Sequence, residues 1–301
     1  MYKWNHVLFL CNQHVITRLV FKLTAICNEI FNRLLSGVFL SYFQPMASFD
    51  HSIVFAARHA LVDIHYHQCF QIVISLDAPF DSTIDGKDYP RLNGFLINQG
   101  ITHSCKAQAT EVLVYFIDAD SYQGWQFGEM LNGNAFVPIE QLLAPGELSE
   151  TTLSYRRTRA TGDLHDTALM LMDKILPSPQ GILLRPMDDR MTKALAYIDA
   201  NLDNPLALED LAGQVFLSTE RLRHLFASET GIPFSQYVLW RRIKGVLGQV
   251  VKDGVSLATA SIHNGFTDQA HFTRLFKRTF GVSAKQLLKN SRFIQFLSPA
   301  L

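Results

Sequence analysis

The chain has 301 residues, which suggests roughly two domains, each large enough for its own core. Its 27 basic and 27 acidic side chains cancel, and 48% of its residues are hydrophobic, a composition that excludes a disordered, highly charged chain. Four cysteines (Cys11, Cys27, Cys69 and Cys105) show no CxxC spacing and no disulfide framework, and free thiols in a reducing cytoplasm are the simplest account.

The first 45 residues are rich in apolar side chains at 7–10, 15–26 and 30–43, but Arg18, Lys22, Glu29 and Arg33 interrupt them. No run of about 20 apolar residues forms, so a membrane span is not expected. No small-residue cleavage site follows a short apolar core, as a signal peptide requires. Residues 1–45 are therefore expected to be a non-essential extension, with Met46 as a natural start. A membrane-surface helix, and with it a membrane-attached regulator, is the weaker alternative.

Residues 52–118 read as β structure. Short β-branched and aromatic runs at 53–55, 70–76, 94–97 and 112–117 are separated by turn residues, and Asp85-Gly86 suits a two-residue hairpin turn. This spacing predicts a small barrel or jelly roll. At 163–176 the period changes: Leu164, Ala168, Leu171, Met172 and Ile175 fall at helical spacing, giving an apolar stripe that covers the barrel or pairs with a second copy. Pro177-Ser178-Pro179-Gln180-Gly181 breaks this helix and marks a linker. Seven helices are expected beyond Pro186. The fold class is α+β in two domains, a β-barrel (46–150) and an all-α region (188–301), joined by a helical segment and linker (151–187).

Charge is unevenly placed. From residue 211 onward there are twelve Lys/Arg against four Asp/Glu, about +8, so the first 210 residues carry about −8. An electropositive C-terminal third is the footprint of a nucleic-acid module. Within it one pattern occurs twice, fifty residues apart. Phe216-Leu217-Ser218-Thr219-Glu220-Arg221-Leu222-Arg223-His224-Leu225-Phe226 runs on to Gly231, and Phe266-Thr267-Asp268-Gln269-Ala270-His271-Phe272-Thr273-Arg274-Leu275-Phe276 runs on to Gly281. Ser218 and Asp268 are N-cap residues, and each glycine ends its helix where a left-handed residue is wanted. The apolar positions share one face at i, i+3, i+4. The opposite face is left to Thr219, Glu220, Arg223 and His224 in the first copy, and to Gln269, Ala270, Thr273 and Arg274 in the second. Arg can take both acceptors of guanine, and Gln both groups of adenine. Ser218, Arg241, Arg242, Lys277 and Arg278 are the candidates for phosphate contact, which positions the protein and makes binding salt-dependent.

Residues 206–287 resemble the C-terminal domain of the AraC/XylS family of bacterial transcription regulators. Gly265-Phe266-Thr267-Asp268-Gln269-Ala270-His271-Phe272-Thr273-Arg274-Leu275-Phe276-Lys277-Arg278 is close to that family's signature. The resemblance implies two helix-turn-helix units joined by a long helix, here 233–252, with both recognition helices entering successive major grooves on one side of the duplex. By position in the motif, the family's base contacts fall on Glu220, Arg223 and His224, then Gln269, Ala270, Thr273 and Arg274. Three departures stand out. Phe216 occupies a turn position usually held by glycine, Gly245 and Gly248 interrupt the linker helix, and Ala284 replaces a proline.

In the barrel, His65-Tyr66-His67 precedes Gln71, and Gly94-x5-Gly100-x2-His103 follows. This resembles the two cupin motifs. Metal cupins bring together three histidines and a glutamate, but here Gln71 replaces the glutamate and removes the anionic ligand. His65, His67, Gln71 and His103 are therefore expected to line an effector pocket, with no metal and no cofactor. The combined expectation is a cytoplasmic transcription regulator, not an enzyme, with a cupin-like sensor and a double reader. Its partners would be double-stranded promoter DNA, a small-molecule effector, RNA polymerase if it is an activator, and a second copy in a homodimer, with no membrane. The alternative is a metal-dependent cupin oxygenase or isomerase with a helical appendage.

Overall fold

A computed structural model of the chain describes residues 52–176 and 187–297, with side chains through Lys289. The expectations for residues 1–45, for a start at Met46 and for the 177–181 linker lie outside the described residues.

One antiparallel sheet closes most of the way into a barrel. Its strands are β1 (Ser52–His65), β2 (Phe70–Ser75), β3 (Phe80–Ile84), β4 (Lys87–Leu92), β5 (Gly94–Ile97), β6 (His103–Ile117), β7 (Phe136–Pro138) and β8 (Ser291–Leu297). β6 is the spine. β1 runs along one of its edges from Ser52↔Ile117 to His65↔His103, while β2 and β3 share the other. The β3–β4 hairpin turns on Asp85 and Gly86 at φ 49 and 75, the left-handed pair that such a turn demands.

Side chains alternate across this sheet with a period of two, and both faces are buried. Val112, Val114 and Phe116 of β6 enter an inner core, whereas Leu113, Tyr115 and Ile117 enter an outer one. Three helices belong to this part of the chain: α1 (Tyr122–Leu131), α2 (Glu147–Thr158) and α3 (Thr161–Ile175). The α3 stripe of Leu164, Ala168, Leu171 and Ile175 is buried in the outer core, and the Tyr115 hydroxyl donates to the Ala168 carbonyl at 2.8 Å. Of the two roles open to that stripe, covering the barrel is the one realised.

Seven helices follow: α4 (Asp189–Ala200), α5 (Leu208–Gln214), α6 (Thr219–Thr230), α7 (Phe234–Lys252), α8 (Leu257–His263), α9 (Gln269–Phe280) and α10 (Ala284–Asn290). α4, α5, α6 and the start of α7 enclose one core around Leu211, Leu222, Phe226 and Tyr237. The second unit has no separate core. Phe266, Phe272, Phe276 and Phe280, with Trp240 and Ile243, are continuous with the inner core of the barrel. After α10 the backbone returns to the sheet as β8, antiparallel to β1 from Ser52↔Leu297.

α7 runs unbroken through Gly245 and Gly248. Gly245 has a packing reason, because a Cβ there would lie 1.9 Å from the Asn264 side-chain oxygen. Phe216 takes the left-handed turn with φ 56, the part played by Gly265 with φ 77 in the second unit. The backbone bonds Leu217 N to Ala212 O and Phe266 N to Ser261 O bracket these two residues in the same way.

Candidate nucleic-acid interface and sensor cavity

The repeated sequence makes two matching helices, α6 and α9. Ser218 Oγ accepts from Arg221 N at 3.3 Å, and Asp268 Oδ1 accepts from His271 N at 2.7 Å, so each helix start has its orphan amide satisfied. Gly231 and Gly281 close the two helices in the left-handed region at φ 74 and 66. Leu222 and Phe226 on α6, and Phe272 and Phe276 on α9, are fully buried. This fixes the opposite faces outward. Glu220, Arg223 and His224 are exposed on α6, as are Gln269, Ala270 and Arg274 on α9, while Thr219 and Thr273 are half-buried. Glu220 pairs with Arg223 and, at 2.8 Å, with His224 Nε2, holding both side chains along the α6 surface.

The phosphate candidates separate into groups. Lys277, Arg278 and Ser218 are exposed, although the Ser218 hydroxyl is used as the cap. Arg242 is half-buried and donates to the carbonyls of Leu202 (2.9 Å) and Asn204 (2.7 Å), tying α7 to the α4–α5 loop. Arg241 is not placed with the others. Its side chain is only 4% exposed, and it pairs with Asp199 at 2.7 Å and Asp118 at 3.4 Å. In this arrangement the Arg241 charge is spent inside the protein, which corrects its assignment as a phosphate contact.

Arg241 belongs to a cluster that sequence reading missed. Tyr237, Trp240, Arg241 and Lys244 lie on one face of α7 at i, i+3, i+4, i+7. All four reach the segment after β6. Trp240 Nε1 donates to Asp118 at 2.7 Å, Lys244 Nζ reaches Asp118 at 2.5 Å, and Tyr237 OH donates to Asp120 at 2.9 Å. Asp118 itself is wholly buried. The linker helix is thus clamped to the barrel by polar side chains, and their shared face at helical spacing does not by itself tell what that face meets.

The barrel also touches the ends of both repeated helices. A Cβ on Gly231 would lie 2.9 Å from the Gln99 side chain, and one on Gly281 would lie 2.5 Å from Asp63 O and 2.9 Å from His65 Nδ1. Both loops flank the histidine cluster, so the closing glycines permit close approach as well as a left-handed turn.

His65, His67 and His103 converge, with one nitrogen of each within 4.8 Å of the others. The register shift in β1 between Val62 and His65 turns the His65 ring inward opposite His103. Gln71 Oε1 lies 2.7 Å from His103 Nε2 and 3.3 Å from His67 Nε2. All four expected pocket residues are therefore neighbours. Burial is the main cause that lowers the pKa of each histidine, and for His67 burial with the adjacent His65 pushes it to about 3. Above the cluster opens a cavity of about 250 Å³. His65, Gln71 and His103 line it together with other polar side chains, Arg58, His59 and Gln286, while Phe55, Val73 and Val114 are among its apolar walls and Phe280 and Leu287 border it from α9 and α10. His67 faces a separate small recess beside Trp240 and Arg278.

Residues 211–290 match a protein family described as a helix-turn-helix domain. The regulatory protein PocR of Salmonella typhimurium is 35% identical over 98 residues, 33% of this chain and 32% of that protein. The arabinose operon regulatory protein of Escherichia coli is 33% identical over 102 residues, 34% of this chain and 35% of its own. The chain therefore spans about a third of the length of these two relatives. The probable transcriptional regulator LumQ of Photobacterium leiognathi is similar over more of the chain, 23% identical across 230 residues, 73% of this chain and 89% of that protein. Among solved structures, apo ToxT from Vibrio cholerae aligns with 80% of this chain and 97% of its own at a TM-score of 0.51 and 13% identity, a likeness of fold. Among the described residues no helix is long and apolar enough to cross a membrane. With its duplicated helices, their caps and their exposed polar faces, the C-terminal third of the chain is a helix-turn-helix domain of the AraC/XylS type.

Proposed function

We propose that the chain is a sequence-specific transcription regulator that binds promoter DNA through α6 and α9 and senses a small molecule in the barrel cavity. The observation that carries this reading is the matched pair of capped helices. Each buries its apolar face; α6 leaves Thr, Glu, Arg and His side chains for base edges, and α9 leaves Gln, Ala, Thr and Arg. Lys277 and Arg278 would add phosphate contacts. The cavity lies between barrel strands and α9–α10, so an occupant touches sensor and reader together. Only an occupant that binds two arrangements of this seam with different affinity can regulate. The working place is the cytoplasm, and RNA polymerase is the further partner where the protein activates.

Selection of bound fragments from a random duplex pool, followed by a salt titration of the winner, tests this reading. Enrichment of one sequence, with affinity falling steeply as salt rises, is expected. A pool that stays random after repeated rounds would refute it. The apolar residues Leu153, Leu169 and Met170 remain exposed on α2 and α3, and a second copy is their proposed cover. Sedimentation of the wild type against Leu169→Glu decides this, a monomer in both cases being the contrary result.

A further inference from the structure

Each helix-turn-helix unit carries one large apolar side chain facing solvent, and both sit at the same corner. Phe216 is 95% exposed and Ile262 is 59% exposed, and among the described residues of α4–α10 these two are the exposed large hydrophobic side chains. The backbone bonds Leu217 N to Ala212 O and Phe266 N to Ser261 O equate Gly213 with Ile262 and Phe216 with Gly265. Glycine and a bulky apolar residue therefore occupy the corner in opposite order in the two units. Packing explains the glycine of the second unit, since a Cβ on Gly265 would lie 2.4 Å from Leu202 O and 2.8 Å from the Arg242 guanidinium. It does not explain Phe216, which holds φ 56 with its ring in water. A left-handed aromatic residue is a costly choice, and such strain persists at sites where the side chain is used.

We propose that Phe216 and Ile262 are specificity-determining residues that press against thymine methyl groups, one in each half of the DNA site. This inference rests on the promoter-binding reading above and names bases within it. In a helix-turn-helix the N-terminal residues of the second helix meet base edges while the first helix crosses the backbone, so the corner between them stands beside the groove. Phe216 shortly precedes the Ser218 cap of α6, and Ile262 lies in the last turn of α8, ahead of the Asp268 cap of α9. The exposed reading side chains of α6 (Glu220, Arg223 and His224) are all polar. The methyl group that distinguishes thymine has no apolar partner among them, and an aromatic ring supplies one. A protein partner fits the corner less well. It would call for a cluster of apolar neighbours, whereas each side chain here is the single exposed large apolar group of its unit. Recurrence in both units points to the partner that both units share, the duplex.

The full chain first selects its site from a random duplex pool, and Arg223→Ala and Arg274→Ala tell the α6 half from the α9 half. Each thymine of the site is then replaced in turn by deoxyuridine, which removes the methyl group alone. At one thymine in the α6 half the wild type should lose about fourfold in affinity, the worth of one buried methyl group. Phe216→Gly should bind the parent site about tenfold more weakly and be indifferent to that deoxyuridine. This variant relieves the backbone, so its loss reads the contact and not unfolding. Ile262→Ser should abolish the response to one deoxyuridine in the α9 half and leave the α6 half as it was. Wild-type affinity that ignores every deoxyuridine would overturn the proposal, and losses that persist in a variant overturn the contact of its residue. Phe216→Gly binding as tightly as wild type, while failing to support transcription by purified polymerase, would also overturn it and give the corner to a protein. In all these cases a selected site with steep salt dependence leaves the regulator reading standing, whereas a pool that stays random removes both.

Discussion

Asp118→Asn is the sharpest probe of how the barrel grips the linker helix. The carboxylate is wholly buried and accepts from Trp240 Nε1 at 2.7 Å, Lys244 Nζ at 2.5 Å and Arg241 Nη1 at 3.4 Å. The amide keeps the volume but removes the charge. Arg241 retains Asp199 at 2.7 Å, so the cost falls chiefly on Lys244, whose side chain is 8% exposed. Breaking a buried ion pair from one side typically costs about 3–5 kcal/mol, because the remaining charge loses its nearest counter-charge. For a chain of this size that corresponds to a Tm lower by roughly 10 °C. The double variant Asp118→Asn with Lys244→Met removes the pair as a whole and should recover most of the loss, since well-packed apolar replacements of buried pairs are often neutral. Thermal denaturation followed by circular dichroism measures both. A single-variant loss below about 1 kcal/mol, or strictly additive losses in the double variant, would refute the clamp as an energetic element.

Arg274→Ala is expected to cost about 1–3 kcal/mol on the selected site and to relax preference at one base pair, which competition with single-base variants of that site would reveal. Lys277→Ala should weaken all sequences alike and reduce the slope of log affinity against log salt by about 0.9. Gly245→Ala would ordinarily gain about 1 kcal/mol of helix propensity, but here it should destabilise, because the new methyl meets the Asn264 oxygen at 1.9 Å. A higher Tm for this variant contradicts the packing account. Phe216→Gly should stabilise by about 1 kcal/mol, since Phe216 is 95% exposed and holds φ 56 without packing to offset the strain.

Local pattern made much of this molecule legible. Alternating runs on β2 and β6, the Asp85-Gly86 turn and the i, i+3, i+4 stripes of α6 and α9 each follow from nearest-neighbour geometry, and a barrel followed by seven helices was readable from them. The convergence of His65, His67, Gln71 and His103 was legible through motif spacing. Long-range features were not. Asp118 looked like a strand end and Arg241 like one more surface cation, because nothing local distinguishes a basic residue facing phosphate from one facing a buried carboxylate. The continuity of the second reader core with the barrel was hidden for a related reason. Phe272, Phe276 and Phe280 sit at helical spacing whether they cover their own unit or a neighbour. β8 was missed inside a region expected to be all helical, although the β-branched and aromatic run at 293–297 was its signal.

Hydroxyl-radical footprinting of the full chain on its selected duplex tests the central claim most directly. Two protected patches about one helical turn apart on the same face of the DNA are expected, with Arg223→Ala erasing one and Arg274→Ala the other. A single protected patch, or one that neither substitution changes, would contradict the double reader.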